Sequence, residues 1–133
     1  MKVKFTRLAA ILLYLWQLPQ NLVGLLLVTI LRPEDCYEME GAKLCYASRM
    51  RGGISLGRYI IIHSTLKDFT GSTERHELGH AKQSRMLGWF YLFVIGIPSL
   101  LWAAWWNDSR PVSYYSFYTE RWADHLGGVN RDD

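Results

Sequence analysis

His76-Glu77-Leu78-Gly79-His80 is the stretch on which the reading of this chain turns. On an α-helix, residues four apart project from one face, so both imidazoles can reach a single metal ion. The Glu beside the first His then stands next to a water on that metal, where a general base is needed. Ser72 is a plausible N-cap four residues upstream, and Glu74 falls in the first turn, where the helix dipole favours negative charge.

A catalytic metal of this kind needs a third protein ligand and an open position. Glu120-Arg121-Trp122-Ala123-Asp124 supplies the candidate. Glu120, Ala123 and Asp124 share a helix face, and small residues at Gly79 and Ala123 let the two helices approach closely. A metal-bound His usually donates its other N–H to a carboxylate, the role Asp124 is placed to fill. His63, at a strand end, is a reserve ligand.

Together the two motifs resemble those of the gluzincin zinc metallopeptidases. The Ala-Asp ending is most similar to the membrane-bound group that includes the CAAX prenyl protease and bacterial heat-shock membrane peptidases; the small gluzincins of domain size are a second likeness. The resemblance covers about Ile54–Gly128. It implies one Zn2+ per chain held by His76, His80 and Glu120, with Glu77 as base and Asp124 orienting a His ligand. It also implies that the strand before the zinc helix, Ile54–Ile62, pairs with an extended peptide substrate. The chain is far shorter than those membrane enzymes and lacks their multi-helix part. Tyr114, Tyr115, Tyr118, Arg121 and His125 are positional candidates for stabilising the tetrahedral intermediate, with Tyr115 and His125 ranked first.

Outward from the motifs, the 133 residues are half hydrophobic, with six Trp, eight Tyr and five Phe, which excludes intrinsic disorder. A net charge of +3 with scattered Lys and Arg gives no basis for nucleic-acid binding. Leu8–Leu31 (24 residues) and Leu87–Trp106 (20 residues) carry no charge, which points to the membrane. The first run reads as an uncleaved anchor roughly 36 Å long as a helix, a span interrupted by Gln17, Pro19, Gln20 and Asn21, with a shallow helical hairpin as the alternative. In the second, a straight crossing would put His80 and Glu120 roughly 30 Å apart on opposite sides, too far to share a metal. A reversal at Gly96-Ile97-Pro98 resolves this as a re-entrant hairpin with interfacial aromatics.

Cys36 to Cys45 suggests a hairpin turning at Glu40-Gly41, with Cys36 opposite Cys45 and with Tyr37, Met39, Ala42 and Leu44 on the core side. The cysteines are either bridged or two reduced thiols on a solvated face; a bridge would place the domain outside the cytoplasm. Ile54–His63 reads as the strongest strand, Lys67–Gly71 as a loop, and the last helix as starting near Pro111 and ending at Gly127-Gly128.

The expectation is therefore an α+β, small zincin-like domain over residues 32–133: a short antiparallel sheet, a zinc-binding helix and a third-ligand helix. It contains a membrane-embedded hairpin at 87–106 and follows an N-terminal membrane anchor at 1–31. Its partners are an extended peptide and the lipid bilayer, with no nucleic acid. The setting is a bacterial inner membrane, with the catalytic domain on the extracytoplasmic side. The alternative is a non-catalytic, zinc-stabilised membrane protein that binds a partner through its edge strand. A base at Glu77, unnecessary in a structural site, favours the enzyme.

Overall fold

The computed structural model describes residues 6–66 and 71–131. Lys2, Lys4 and all of the expected loop but Gly71 lie outside them. The elements are α1 (Arg7–Trp16), α2 (Leu18–Leu31), β1 (Asp35–Met39), β2 (Ala42–Ala47), β3 (Gly53–Leu56), β4 (Tyr59–His63), α3 (Ser72–Leu87), α4 (Ile97–Trp105) and α5 (Tyr118–Gly127). The α+β class is as expected, with one four-stranded sheet in the order β1-β2-β4-β3.

The β1–β2 hairpin has the anticipated register, with Cys36 opposite Cys45 and Glu38 opposite Lys43. Three features of the sheet depart from expectation. The run Ile54–His63 is two strands, because the chain turns at Gly57-Arg58 and β3 folds back antiparallel on β4. That reversal makes β4 run parallel to β2, so the sheet is mixed rather than antiparallel. Of the two readings of the cysteines the reduced one holds, but only Cys36 is exposed, whereas Cys45 opposite it is fully buried. The alternation of side chains places Ala42, Leu44, Tyr46, Ile60 and Ile62 on one face, packed on Leu78 and Ala81 of α3 with Met39 at the margin.

The N-terminal apolar run is not one straight helix: α1 and α2 meet at a 95° bend. Among the described residues no single helix is long and apolar enough to cross a membrane. The bend follows from the polar residues within the run, which plug into the domain. The Ser84 hydroxyl donates to Gln17 Oε1 (2.6 Å), while Gln20 Nε2 donates to the Ser84 oxygen (2.8 Å) and the Gly88 carbonyl (2.9 Å). Asn21 accepts from the Arg58 amide (2.7 Å) and donates to the Tyr14 carbonyl (2.9 Å). Trp16 and Trp89 complete the joint, donating to the carbonyls of Arg85 and Leu15, both at 2.9 Å.

The second apolar run folds differently from expectation. α3 ends at Gly88 (φ 55°), a 3-10 turn follows, and helix then continues from Leu92 to Trp105 without turning back at Gly96-Ile97-Pro98. Leu92–Gly96 is a π-helical segment, and Pro98 lies in the first turn of α4. The π-helical segment widens the turn ahead of the proline, and the Val94 carbonyl four residues before it accepts from the Tyr118 hydroxyl, so the missing N–H does not break the segment. After Trp106 the chain passes through turns and a 3-10 segment, Tyr114–Ser116, so the last helix starts at Tyr118 rather than near Pro111. It ends at Gly127 with Gly128 in the left-handed region, as expected.

Candidate metal centre

Two helices carry the centre. α3 presents His76 and His80, α5 presents Glu120, and all three are buried. A Cβ on Gly79 would collide with the backbone of Ala123, so the helices touch main chain to main chain, as the small residues suggested. Their contact brings one ligand atom from each of His76, His80 and Glu120 within 4.8 Å of one another, a group that can hold a metal ion.

Glu120 Oε1 faces both imidazoles, 3.4 Å from His76 Nε2 and 3.3 Å from His80 Nε2. Its other oxygen accepts from the hydroxyls of Ser99 (2.7 Å) and Thr119 (2.6 Å). Each histidine is oriented from behind. His76 Nδ1–H donates to Asp124 Oδ1 (2.6 Å), as expected for the second carboxylate. His80 Nδ1–H donates to Gln83 Oε1 (2.7 Å), and the Gln83 amide is itself fixed by donating to the Thr119 carbonyl (3.0 Å). Both rings thus keep Nε2 for the centre, the arrangement in which outer hydrogen bonds set ligand orientation.

Charge follows from this geometry. Burial opposes ionisation of Glu120, but the hydrogen bonds from His76 and His80 overcome it and hold the carboxyl far below the usual carboxylate range. Burial also opposes charging of His80, yet its bond to Glu120 and the charges of Glu77 and Glu120 raise it to about 9. Burial pushes the Glu77 carboxyl up, against the pull of the two histidines. Glu77 Oε2 is buried and has no hydrogen-bond partner among the described residues. A buried carboxylate oxygen left unpaired beside a metal-ligand group is placed to bind something the chain does not itself supply.

A cleft of about 610 Å3 opens over these groups. β3, one of the two edge strands, forms one side, and a side chain at Gly53 would meet the Glu77 carboxylate. The β3 edge is closed at Ser55, whose carbonyl accepts from the Tyr91 hydroxyl (3.0 Å). Apolar side chains of α2 and α4, among them Val23, Leu27, Ile97 and Leu100, line the cleft.

The remaining candidates divide. Tyr115 lines the cleft, and its ring lies edge-on to His76 at 5.2 Å. Tyr114 lines it too. His125 is exposed and is not among the residues lining the cleft, because it occupies the face of α5 turned from Glu120. Tyr118 donates to the Val94 carbonyl (2.6 Å) and Arg121 is exposed. His63 bonds Thr65 through Nδ1 and takes no part in the centre.

Sequence reasoning missed Ser99, Thr119, Gln83 and Arg131. Gln83 was within reach, three residues after His80 on the same helix face. Thr119 stands next to Glu120 on α5, whereas Ser99 comes from α4 and Arg131 from beyond α5, and no spacing announces those two. Comparison with protein-family models, with characterised proteins and with solved structures finds no match to this chain.

Proposed function

We propose that this chain is a membrane-associated zinc metallopeptidase of gluzincin type. The observation that carries the reading is the separation of Glu120 Oε1 from the two Nε2 atoms, 3.4 and 3.3 Å. Ligands about 2.0–2.1 Å from a tetrahedral zinc stand about 3.3 Å apart, the separation Glu120 has from each histidine, and all three donors lie within 4.8 Å of one another. The donor set, two neutral imidazole nitrogens and one carboxylate, also suits zinc and leaves a fourth position.

Zinc, when bound by His76, His80 and Glu120, supplies Lewis acidity that polarises a carbonyl and acidifies water. Glu77 does the proton work. Its carboxyl, raised by burial, accepts a proton from the attacking water and delivers it to the leaving amine. Extended peptide bound along β3 at Gly53-Ile54 would bring its carbonyl past Glu77, as backbone pairing at a sheet edge does in other peptide binders. Tyr115, beside His76 in the cleft, is the better placed of the two candidates for stabilising the oxyanion.

Membrane association is supported by the outer faces of the two apolar runs. Phe93 is 73 % exposed, Leu101 64 % and Leu26 58 %, while Gln17, Gln20 and Asn21 of the first run and Ser99 of the second point inward to the domain. That pattern is inverted relative to a water-facing helix, and large exposed apolar patches mark interaction surfaces.

The deciding experiment compares detergent-purified wild type, Glu120→Ala and Glu77→Gln for zinc by elemental analysis and for hydrolysis of an unstructured protein such as casein. About one zinc in wild type and in Glu77→Gln, a sharp loss in Glu120→Ala, and hydrolysis in wild type alone are expected. Zinc-free, well-folded wild type, or full activity in Glu77→Gln, would overturn the reading.

A further inference from the structure

Beyond α5 the chain doubles back on the metal centre. Gly128 takes the left-handed conformation (φ 73°), and the Val129 amide bonds the Asp124 carbonyl at 2.8 Å. Arg75 secures the turn by donating from Nε to the Gly127 carbonyl at 3.0 Å. The result is that Arg131 lies over the side of α5 that carries Asp124.

Arg131 makes two contacts there. Its guanidinium grips both oxygens of Asp124, Nε to Oδ2 at 2.7 Å and Nη2 to Oδ1 at 3.1 Å. Its central carbon also lies 3.3 Å from the centroid of the Tyr115 ring. Each of those partners touches His76: Asp124 through the 2.6 Å bond to Nδ1, and Tyr115 by its edge-on ring. Arg131, Asp124, His76 and Tyr115 therefore close a ring of contacts around one imidazole.

We propose that Arg131 is a positioning residue for the metal centre, holding His76 through Asp124 and Tyr115 in the orientation and tautomer that leave Nε2 for the metal. A carboxylate bonded only to His76 can rotate about its own side chain. The two-point grip of a planar guanidinium removes that freedom, which a lysine cannot do with a single point charge. The cation over the aromatic face restrains Tyr115 in the same way. Outer partners of this kind set ligand orientation, and losing one costs metal affinity on the order of 10–100-fold.

The inference rests on the metal-binding reading above, so its test includes a measurement that needs no metal. Zinc affinity is read by competition with a chromogenic chelator for wild type, Arg131→Ala and Arg131→Lys. The Nδ1–H signal of His76 is read by 15N-edited NMR on the same proteins without metal. In Arg131→Ala the zinc dissociation constant should rise on the order of 10–100-fold. Its His76 Nδ1–H signal, slow to exchange in wild type, should broaden or vanish. Arg131→Lys should recover only part of both, and it decides the matter if the alanine variant does not fold. Unchanged zinc affinity with an unchanged His76 signal, or lost stability with that signal intact, would overturn the proposal. If wild type takes up no zinc, the metallopeptidase reading fails, while the His76 signal still decides the role of Arg131.

Discussion

The carbonyl oxygen of Ala123 packs against Gly79 in the space a Cβ would occupy. This backbone contact sets the spacing of α3 and α5, and with it the distance from the histidines to Glu120. Gly79→Ala should therefore be damaging. Alanine gains about 1 kcal/mol in helix propensity, but overpacking costs typically 1–3 kcal/mol, and main chain cannot give way as a flexible side chain can. A net loss of up to about 2 kcal/mol in denaturant unfolding is expected, together with weakened zinc binding. An unchanged midpoint and unchanged zinc affinity would show that the helices can separate without consequence.

Asn21 holds the bend between α1 and α2 with both ends of its amide, accepting from Arg58 and donating to the Tyr14 carbonyl. It is completely buried. Asn21→Leu leaves the Arg58 N–H without its partner, and an unsatisfied buried group costs about 1–3 kcal/mol. Hydrogen exchange at the Arg58 amide should accelerate by the corresponding factor, and urea unfolding should shift to lower concentration. Wild-type exchange at that amide would mean another group takes over.

The metal-free chain should be most stable in a window set by two residues of the centre. Glu120 is held below its ordinary value of 4.5, so its contribution is present above that pH and is lost as pH falls through the lowered value. His80 is raised from 6.5 to about 9, so its contribution is complete below 6.5 and disappears as pH rises through 9. Zinc uptake at pH 7.5 must then displace a proton from His80. Titration calorimetry in two buffers of different ionisation enthalpy should report about one proton released per zinc bound at pH 7.5, and fewer as the pH is raised towards 9. Buffer-independent heats would contradict the assignment.

Membrane binding should depend on the outward apolar faces and not on the cleft. Phe93 and Leu101 are 73 % and 64 % exposed, and neither lines the cleft. Burying each such side chain contributes roughly 1.5–3 kcal/mol, so the double variant Phe93→Glu/Leu101→Glu should shift the chain from vesicle-bound to free in flotation with phosphatidylcholine–phosphatidylglycerol vesicles. Its zinc content should equal that of wild type. Undiminished flotation would place the bilayer contact elsewhere on the molecule.

The sequence by itself determined the elements whose cause is local. The spacing of His76 and His80 is a property of one helix, and the spacing of Glu120 and Asp124 of another, so both pairs were legible before any tertiary structure. The Cys36–Cys45 register was legible too, because a two-residue turn dictates which residues face each other. Only the tertiary structure decided the rest. Gln17, Gln20 and Asn21 look like interruptions of a span, but their hydrogen-bond partners are Ser84, Gly88 and Arg58, far along the chain. Gly96-Ile97-Pro98 looks like a reversal, but neighbouring helices and a π-helical segment keep the chain helical past it. Ser99 and Arg131 reached the centre without a sequence signal. A hydrogen bond between distant segments leaves no periodicity in either one, so its partners are known only once packing has brought them together.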